Sequence, residues 1–207
     1  MEFIPLGFNC HPAGNLNKLK LRKKSLPFDW LLIKQENIFE YINSLITTEF
    51  KNFTKNLTYN HRKKVISRNY DYVEFFHHDL IKNITINRPA DRNKNLIKTM
   101  NRRGKIFMDI IKSNKKVVFI CCINHDKLNK KLYDDMLLFE NNNNIKCNYK
   151  VLVYLSNNKD YNLEIPEYFL KLKNFIFDKY VKNIKYSKIY GDPNDFKKML
   201  KRNKFIF

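Results

Sequence analysis

The fold of this protein follows from one stretch of its sequence, KKVVFICCI at residues 115–123. Two lysines precede an unbroken apolar run, and a polar Asn-His-Asp segment follows it. A continuous apolar run of this length, bounded by polar residues, is typical of a central strand that is buried on both faces of a parallel sheet. The stretch therefore predicts a sheet that helices cover on both sides.

Predicted helices and strands alternate around this central strand. Apolar residues at helical spacing predict helices that begin at Pro12 and that cover residues 36–46, 93–113, 127–140 and 193–202. Short apolar runs predict strands at residues 3–8, 149–155 and 174–181, and residues 64–68 and 72–76 form short strands or an irregular hairpin. Such alternation implies a mostly parallel sheet. We predict a single α/β domain over residues 1–207, with helices flanking both faces of the sheet.

The composition is strongly basic, with 40 Lys and Arg residues against 20 Asp and Glu residues and a formal net charge of +20. A chain of 207 residues with 43% hydrophobic residues can bury a core, which excludes the disordered and fibrous classes. Lys and Asn are abundant, as an A/T-rich genome would produce, so composition alone explains the charge. The alternative is a dedicated nucleic-acid face. Weak, non-specific binding to nucleic acid at low salt is expected in both cases.

The sequence also bears on location and on metal binding. No apolar run approaches the roughly 20 residues of a membrane helix, and the N-terminus does not resemble a signal peptide. We expect a soluble cytoplasmic protein that does not bind membranes; for a viral protein this means the host cytoplasm or the virion. The four cysteines include no Cys-x-x-Cys pair, so we expect neither a metal site nor disulfides. Glycine-rich cofactor motifs are missing, so no cofactor is expected.

Cys10 is the strongest candidate for a reactive group. It follows the first predicted strand and comes just before the helix that begins near Pro12. The N-terminus of a helix favours the thiolate, which is the nucleophilic form of cysteine. Ligands of open α/β sheets bind at the carboxyl ends of the strands, where Cys10 would lie. The alternative is a small buried cysteine that packs under the first helix. The adjacent Asn9 is a secondary candidate.

A cysteine nucleophile needs a base, and the sequence contains five histidines. His11 is a poor partner, because the side chains of neighbouring residues usually point apart. His77 and His78 follow an extended aromatic run, so their side chains face opposite sides and one of them can face a pocket. His125 comes just after the buried central strand, at the end of the sheet where ligands bind. Each could instead be an ordinary surface histidine.

Two carboxylates could orient the base, and two further residues could contact a substrate. Asp29 lies between Phe28 and Trp30, which would partly desolvate its carboxylate; the alternative is a turn or cap role. Asp79 follows the paired histidines. Trp30 is a candidate for substrate binding, and so is Arg103, which could clamp an anion. The alternative for Arg103 is a place on the solvated face of its helix.

Several segments resemble a known family. The segments PLGFNC at residues 5–10 and SLPFDW at residues 25–30 are similar to the opening of the putative papain-like cysteine peptidases, a family first catalogued as a domain of unknown function in bacteria and large DNA viruses. The similarity continues in FHHD at residues 76–79 and covers roughly the first 155 residues. This resemblance implies Cys10 as the nucleophile, His78 as the base and Asp29 as the preferred orienting carboxylate.

The main hypothesis is a thiol-dependent hydrolase that cleaves an amide or related acyl bond in a protein, a small acyl compound or a glycan. Cys10 would attack the carbonyl carbon, and His78 would accept the thiol proton and later protonate the leaving group. Backbone N–H groups at the start of the first helix would stabilise the oxyanion. One alternative is a non-peptidase α/β enzyme, such as a glycan-modifying transferase. Another is a basic module that binds nucleic acid by base stacking on exposed aromatic residues.

Overall fold

Two sheets form the framework of the computed structural model, which describes residues 1–62, 64–75, 93–157, 164–181 and 191–207. The strands in these residues are β1 (Glu2–Leu6), β2 (Leu31–Ile33), β3 (Leu57–Tyr59), β4 (Val65–Ser67), β5 (Val73–Phe75), β6 (Lys116–Ile123), β7 (Asn148–Asn157) and β8 (Phe175–Val181). The main sheet has the order β1-β6-β7-β8, and all its neighbouring strands are parallel. The predicted parallel sheet is therefore confirmed.

Helices cover both faces of the main sheet, as predicted. The α-helices in the described residues are α1 (His11–Lys18), α2 (Ile38–Thr47), α3 (Lys94–Ile111), α4 (Lys130–Glu140) and α5 (Pro193–Arg202). One buried cluster joins α1 and α5 to one face of the sheet, and a larger cluster joins α2, α3 and α4 to the other. In the described part of the chain, none of the helices combines the length and apolarity needed to cross a bilayer.

The central strand β6 is apolar after its first residue, Lys116, because both of its faces are buried from Val117 onward. Side chains of a strand point alternately to its two sides. Phe119 contacts Phe139 of α4 on one side, with the ring centroids 5.6 Å apart. Ile120 and Cys122 point to the other side, in the cluster that contains Leu16 of α1. This two-sided burial is the physical reason for the apolar run in the sequence.

The smaller sheet is antiparallel and has the order β2-β5-β4-β3. Its central strands β4 and β5 lie where the sequence predicted short strands. The edge strands β2 and β3 were not predicted, because three residues are too few to show a periodic pattern. The Ile33 N–H donates to the Phe8 carbonyl oxygen (3.0 Å), and this bond joins β2 to the loop that follows β1.

Capping side chains determine where two of the helices begin. The sequence predicted a helix from residue 127, but residues His125–Lys127 form a separate 3-10 helix and α4 begins at Lys130. The physical reason is that the Asn129 side chain accepts a hydrogen bond from the Leu132 N–H (2.9 Å) and caps α4 there. The start of α5 was predicted correctly, and there the Asp192 carboxylate accepts from the Asn194 N–H (2.8 Å).

Candidate functional site

Cys10 lies in the turn that connects β1 to α1, at the carboxyl end of β1. It is the residue that immediately precedes α1, and it is partly exposed. The turn is tight: a Cβ atom on Gly7 would lie 2.3 Å from the Asn9 carbonyl oxygen, so glycine is required there. The Cys10 carbonyl oxygen accepts from the Gly14 N–H (2.9 Å), which is the first hydrogen bond of the helix. The position predicted for Cys10, between strand and helix, is thus the one observed.

The first turn of α1 has fewer N–H groups to offer an oxyanion than an ordinary helix. The His11 N–H donates to the Asn9 side-chain oxygen (2.9 Å), and Pro12 has no N–H. Of the first three residues of α1, this leaves Ala13 as the one whose backbone N–H could bind an oxyanion. The secondary candidate Asn9 has a structural role here, since its side chain shapes the turn on which Cys10 lies.

Two of the five histidines, His11 and His125, make contacts that hold their side chains in structural positions. The His11 side chain is buried among the rings of Tyr154, Tyr180 and Phe196, and its Nδ1 shares a hydrogen bond with the Tyr154 hydroxyl. His125 lies beyond the carboxyl end of β6, where its Nε2 donates to the carbonyl oxygen of Glu164 (2.7 Å). His11 therefore belongs to the core between α1 and α5, and His125 is anchored to a neighbouring loop.

The other candidates for a base and its orienting carboxylate are only partly described. His77, His78 and Asp79 lie outside the described residues. His61 is exposed in the turn between β3 and β4. The assignment of His78 as the base of Cys10 consequently stays a prediction.

Asp29 is completely buried in the 3-10 helix Pro27–Trp30, which precedes β2. Its Oδ2 atom accepts from the Leu26 N–H (2.9 Å) and from Arg22 Nε (2.9 Å) and Nη2. Arg22 Nη2 also donates to the Ser25 hydroxyl (2.8 Å). Burial raises the pKa of the Asp29 carboxyl, and the positive charge of Arg22 opposes this effect. Asp29 thus caps its 3-10 helix and pairs with Arg22.

Trp30 and Arg103 lie close to this ion pair. The Arg22 guanidinium carbon is 5.5 Å from the centroid of the Trp30 ring, a cation–π distance. Arg103, in the middle of α3, is partly buried and interacts electrostatically with Asp29. Burial lowers the pKa of Arg103, and the negative charge of Asp29 partly offsets this effect. The structure therefore brings together three of the predicted site residues, Asp29, Trp30 and Arg103.

Arg22 connects these three residues, and the sequence analysis missed it. No spacing rule relates an arginine near the end of one helix to an aspartate in the turn that follows. A usable signal was present, because Arg22 is one of few arginines in a lysine-rich chain and lies close in sequence to a carboxylate between two aromatic residues. Arginine is the usual choice for a buried ion pair, since its planar guanidinium matches a carboxylate.

The remaining cysteines differ from Cys10 in their surroundings. Cys121, Cys122 and Cys147 are buried. Burial raises the pKa of Cys121 well above its usual value and that of Cys147 to about 11, so both thiols stay protonated at neutral pH. Among the described residues, no three His, Cys, Asp or Glu side chains are grouped closely enough to hold a metal ion.

A groove of about 520 Å³ runs along the small sheet next to the loop that carries Cys10. Its lining includes Phe8, two residues before Cys10, together with Leu32, Gln35, Tyr72 and Lys127. The side-chain oxygen of Gln35 accepts a hydrogen bond from the Asn124 N–H (2.6 Å), and Asn124 immediately follows β6. The groove therefore lies beside the carboxyl edge of the main sheet. The groove is large enough for part of a substrate, and Phe8 is the lining residue that lies nearest to Cys10 in the sequence.

Comparison with known proteins identifies the family. The family described as putative papain-like cysteine peptidase (DUF1796) has a sequence model that matches residues 1–156. The chain belongs to this family. The family segment contains Cys10 and the cluster around Asp29, and it ends within β7, so β8 and α5 lie beyond it. The resemblance seen in the sequence is thereby confirmed. No curated protein and no solved structure matches the chain.

Proposed function

We propose that this protein is a cysteine-type hydrolase with Cys10 as its nucleophile. The observation that carries the proposal is the place of Cys10: a partly exposed residue that follows a parallel strand and immediately precedes a helix. This arrangement puts Cys10 at the positive end of the helix dipole and at the edge of the sheet where ligands bind. Membership in a family described as cysteine peptidases supports the same chemistry.

The reaction would proceed through a thioester. The Cys10 sulfur bonds to the carbonyl carbon of the substrate, and its proton passes to His78. The bond to the leaving nitrogen then breaks as His78 returns that proton to the nitrogen. Finally His78 takes a proton from a water molecule, which attacks the thioester carbon. The bond between that carbon and the Cys10 sulfur breaks, and His78 returns the proton to the sulfur, so the acid is released and the thiol is restored. Asp29 could orient His78 only through Oδ1, because Oδ2 is engaged with Arg22 and Leu26.

Labelling of the native protein with iodoacetamide at neutral pH tests the nucleophile directly. The other thiols are buried, so we expect one rapidly modified cysteine, which peptide mass spectrometry would locate at Cys10. The His78→Ala variant should slow the modification, and the exposed His61→Ala variant is the matched control. The same measurement on His77→Ala shows which of the paired histidines acts as the base. A Cys10 that reacts no faster than a model thiol would contradict the proposal.

One observation favours a second candidate, a non-peptidase enzyme such as a glycan-modifying transferase. All neighbouring strands in the main sheet are parallel, and sheets of this kind host many unrelated reactions at their carboxyl edge. Cys10 would then line a substrate pocket without forming a covalent bond. The Cys10→Ala variant separates the two candidates, because a transferase should keep much of its activity and a thiol hydrolase almost none.

A further inference from the structure

The ion pair of Arg22 and Asp29 has buried polar atoms that its own hydrogen bonds do not use. Within the described residues, the hydrogen bonds to the Asp29 carboxylate come from Arg22 and from the Leu26 N–H, and all of them end on Oδ2. The Oδ1 atom is buried and has no hydrogen-bond partner among the described residues. A fully buried carboxylate oxygen without a donor is uncommon. Oδ1 can only accept, so it is available to a donor such as His78 and is not itself a contact for an anion.

Arg103 has the same deficiency on the facing helix α3. Its Nε and Nη1 atoms are buried, and neither has a hydrogen-bond partner in the part of the chain that the structure describes. Guanidinium groups carry only donors and keep their charge at any ordinary pH, so only an acceptor can satisfy them. Leaving such donors buried without an acceptor is unfavourable. The surroundings of Arg103 therefore favour a ligand that supplies acceptor oxygens.

The charges of the cluster specify the sign of this ligand. Arg22 and Arg103 contribute two positive charges and Asp29 contributes one negative charge, and electrostatic interactions connect Arg103 with both of the others. The cluster as a whole is thus positive. A metal ion or an ammonium group would meet net repulsion here, whereas the oxygens of a carboxylate or phosphate match guanidinium groups in both charge and hydrogen bonding.

We propose that Arg103, with Arg22 beside it, forms a binding subsite for an oxyanion, which is a carboxylate or phosphate group of the substrate. The 3-10 helix that carries Asp29 packs against β1, α1 and α3. This 3-10 helix thus joins the arginines to the two elements that flank Cys10, and we infer that the oxyanion belongs to the substrate of Cys10. This last step rests on the proposed function. The binding of an oxyanion does not, because it needs no catalysis.

Ion titrations at constant ionic strength test the subsite. Inorganic phosphate and acetate are added in turn, with chloride as the reference, and the thermal midpoint of the protein is followed. Every anion screens the charge of a protein with a net charge of +20 and so changes its thermal midpoint. Subtracting the change that chloride causes removes this screening contribution. The comparison uses Arg103→Ala and Arg102→Ala, which change the same charge at adjacent positions of α3. Arg102 is exposed and is the matched control.

We expect phosphate or acetate to stabilise the wild type and Arg102→Ala more than chloride does. In Arg103→Ala the affinity for that ion should fall by roughly tenfold to 100-fold, as the loss of a charged hydrogen bond predicts. The ion with the larger Arg103-dependent effect identifies the substrate group as carboxylate or phosphate. Equal responses of the two variants, or no effect beyond chloride with either ion, would overturn the subsite.

Two further measurements keep the test decisive. The first applies if Arg103→Ala does not fold. The Nε–H resonance of Arg103 in the wild type is then followed by NMR during the phosphate and acetate titrations. A resonance that shifts with neither ion overturns the proposal. Repeating the titrations with Cys10→Ala separates this inference from the proposed function. Binding that persists in Cys10→Ala supports the subsite even if Cys10 proves unreactive.

Discussion

Asp29 has no exposed surface, and its carboxylate holds the turn between Arg22 and Trp30 together. Its Oδ2 atom binds the Arg22 guanidinium and caps the 3-10 helix through the Leu26 N–H. The Arg22 side chain is itself only 11% exposed. An ion pair with so little access to water is sensitive to the loss of one partner, because the charge that remains has lost both its counter-ion and most of its solvent.

The Asp29→Asn substitution should therefore destabilise the protein even if Asp29 takes part in catalysis. It keeps the shape of the side chain and removes its charge, which leaves Arg22 buried without a counter-ion. We expect the free energy of unfolding to fall by about 3–5 kcal/mol, as is usual when one partner of a buried pair is removed. Urea unfolding at neutral pH measures this change.

Asp134→Asn is the matched control for this measurement. Asp134 forms an ion pair with Lys130 on the surface of α4, where the two side chains are 54% and 68% exposed. Exposed pairs contribute little, so the change should be less than about 0.5 kcal/mol. Equal effects of the two substitutions would mean that the Asp29 pair is not structural.

At the scale of elements, helix α3 depends on a close contact with the segment that follows α2. Gly104 of α3 faces the Phe50 ring, and a Cβ atom on Gly104 would lie 2.7 Å from Phe50 Cδ1. The ring cannot easily move away, because it also packs against Phe28, Phe53 and Phe107. Glycine is thus needed in mid-helix to let this aromatic cluster form.

The Gly104→Ala substitution should destabilise the protein although alanine is the better helix former. Helix propensity alone would favour alanine by about 1 kcal/mol. The clash with Phe50 should outweigh this gain and give a net loss of about 1–3 kcal/mol. Thermal unfolding measures the difference. Lys98→Ala, at an exposed position of the same helix, is the control and should change the stability by less than about 0.5 kcal/mol. A stabilised Gly104→Ala would show that the contact is not tight.

At the scale of the whole molecule, the core contains several weakly acidic groups that burial keeps protonated. Burial raises the pKa of Cys147 to about 11 and that of Tyr149 to about 12. It raises the pKa values of Cys121, Tyr41 and Tyr154 well above their usual range. The unfolded chain has no such protection, so its thiols and phenols ionise at ordinary values of about 8.5 and 10.

Stability should consequently fall as the pH rises above the ordinary thiol value. In that range the unfolded state releases protons that the folded state retains, and the equilibrium shifts toward unfolding. Urea unfolding between about pH 8 and 11 should show a falling free energy, with a shallower fall in Cys147→Ala, which lacks one of these groups. The comparison of the two slopes also cancels the effect of deprotonating surface lysines. Parallel slopes would mean that Cys147 does not titrate differently in the two states.

The net charge of +20 is large, but its distribution along the chain favours a compositional origin over a dedicated nucleic-acid face. Lysines occur along the entire chain and not on one element, in agreement with a compositional origin. Non-specific binding to nucleic acid at low salt stays a prediction, and salt-dependent binding measurements would test it.

Several features of the fold and of the candidate site were predictable because they depend on neighbouring residues. The apolar run of β6 records burial on both faces, and Asp192 with Pro193 marks the start of α5. The place of Cys10 between a strand and a helix follows from residues 3–12 alone. The three-residue strands β2 and β3 were not predictable, because their pairing partners and not their own sequences make them strands.

The sequence by itself determined the α/β class, the covered parallel sheet and the position of Cys10 at a helix start, because each of these follows from local patterns of apolar residues and prolines. Only the tertiary structure decided that Asp29 pairs with Arg22, that Arg103 of α3 lies close to both, and that His11 belongs to the core. The contacts of Arg103 and of His11 join residues from separate elements, whereas Arg22 and Asp29 meet through the turn between them. Their energies depend on burial and on distance in space, which no spacing along the chain records.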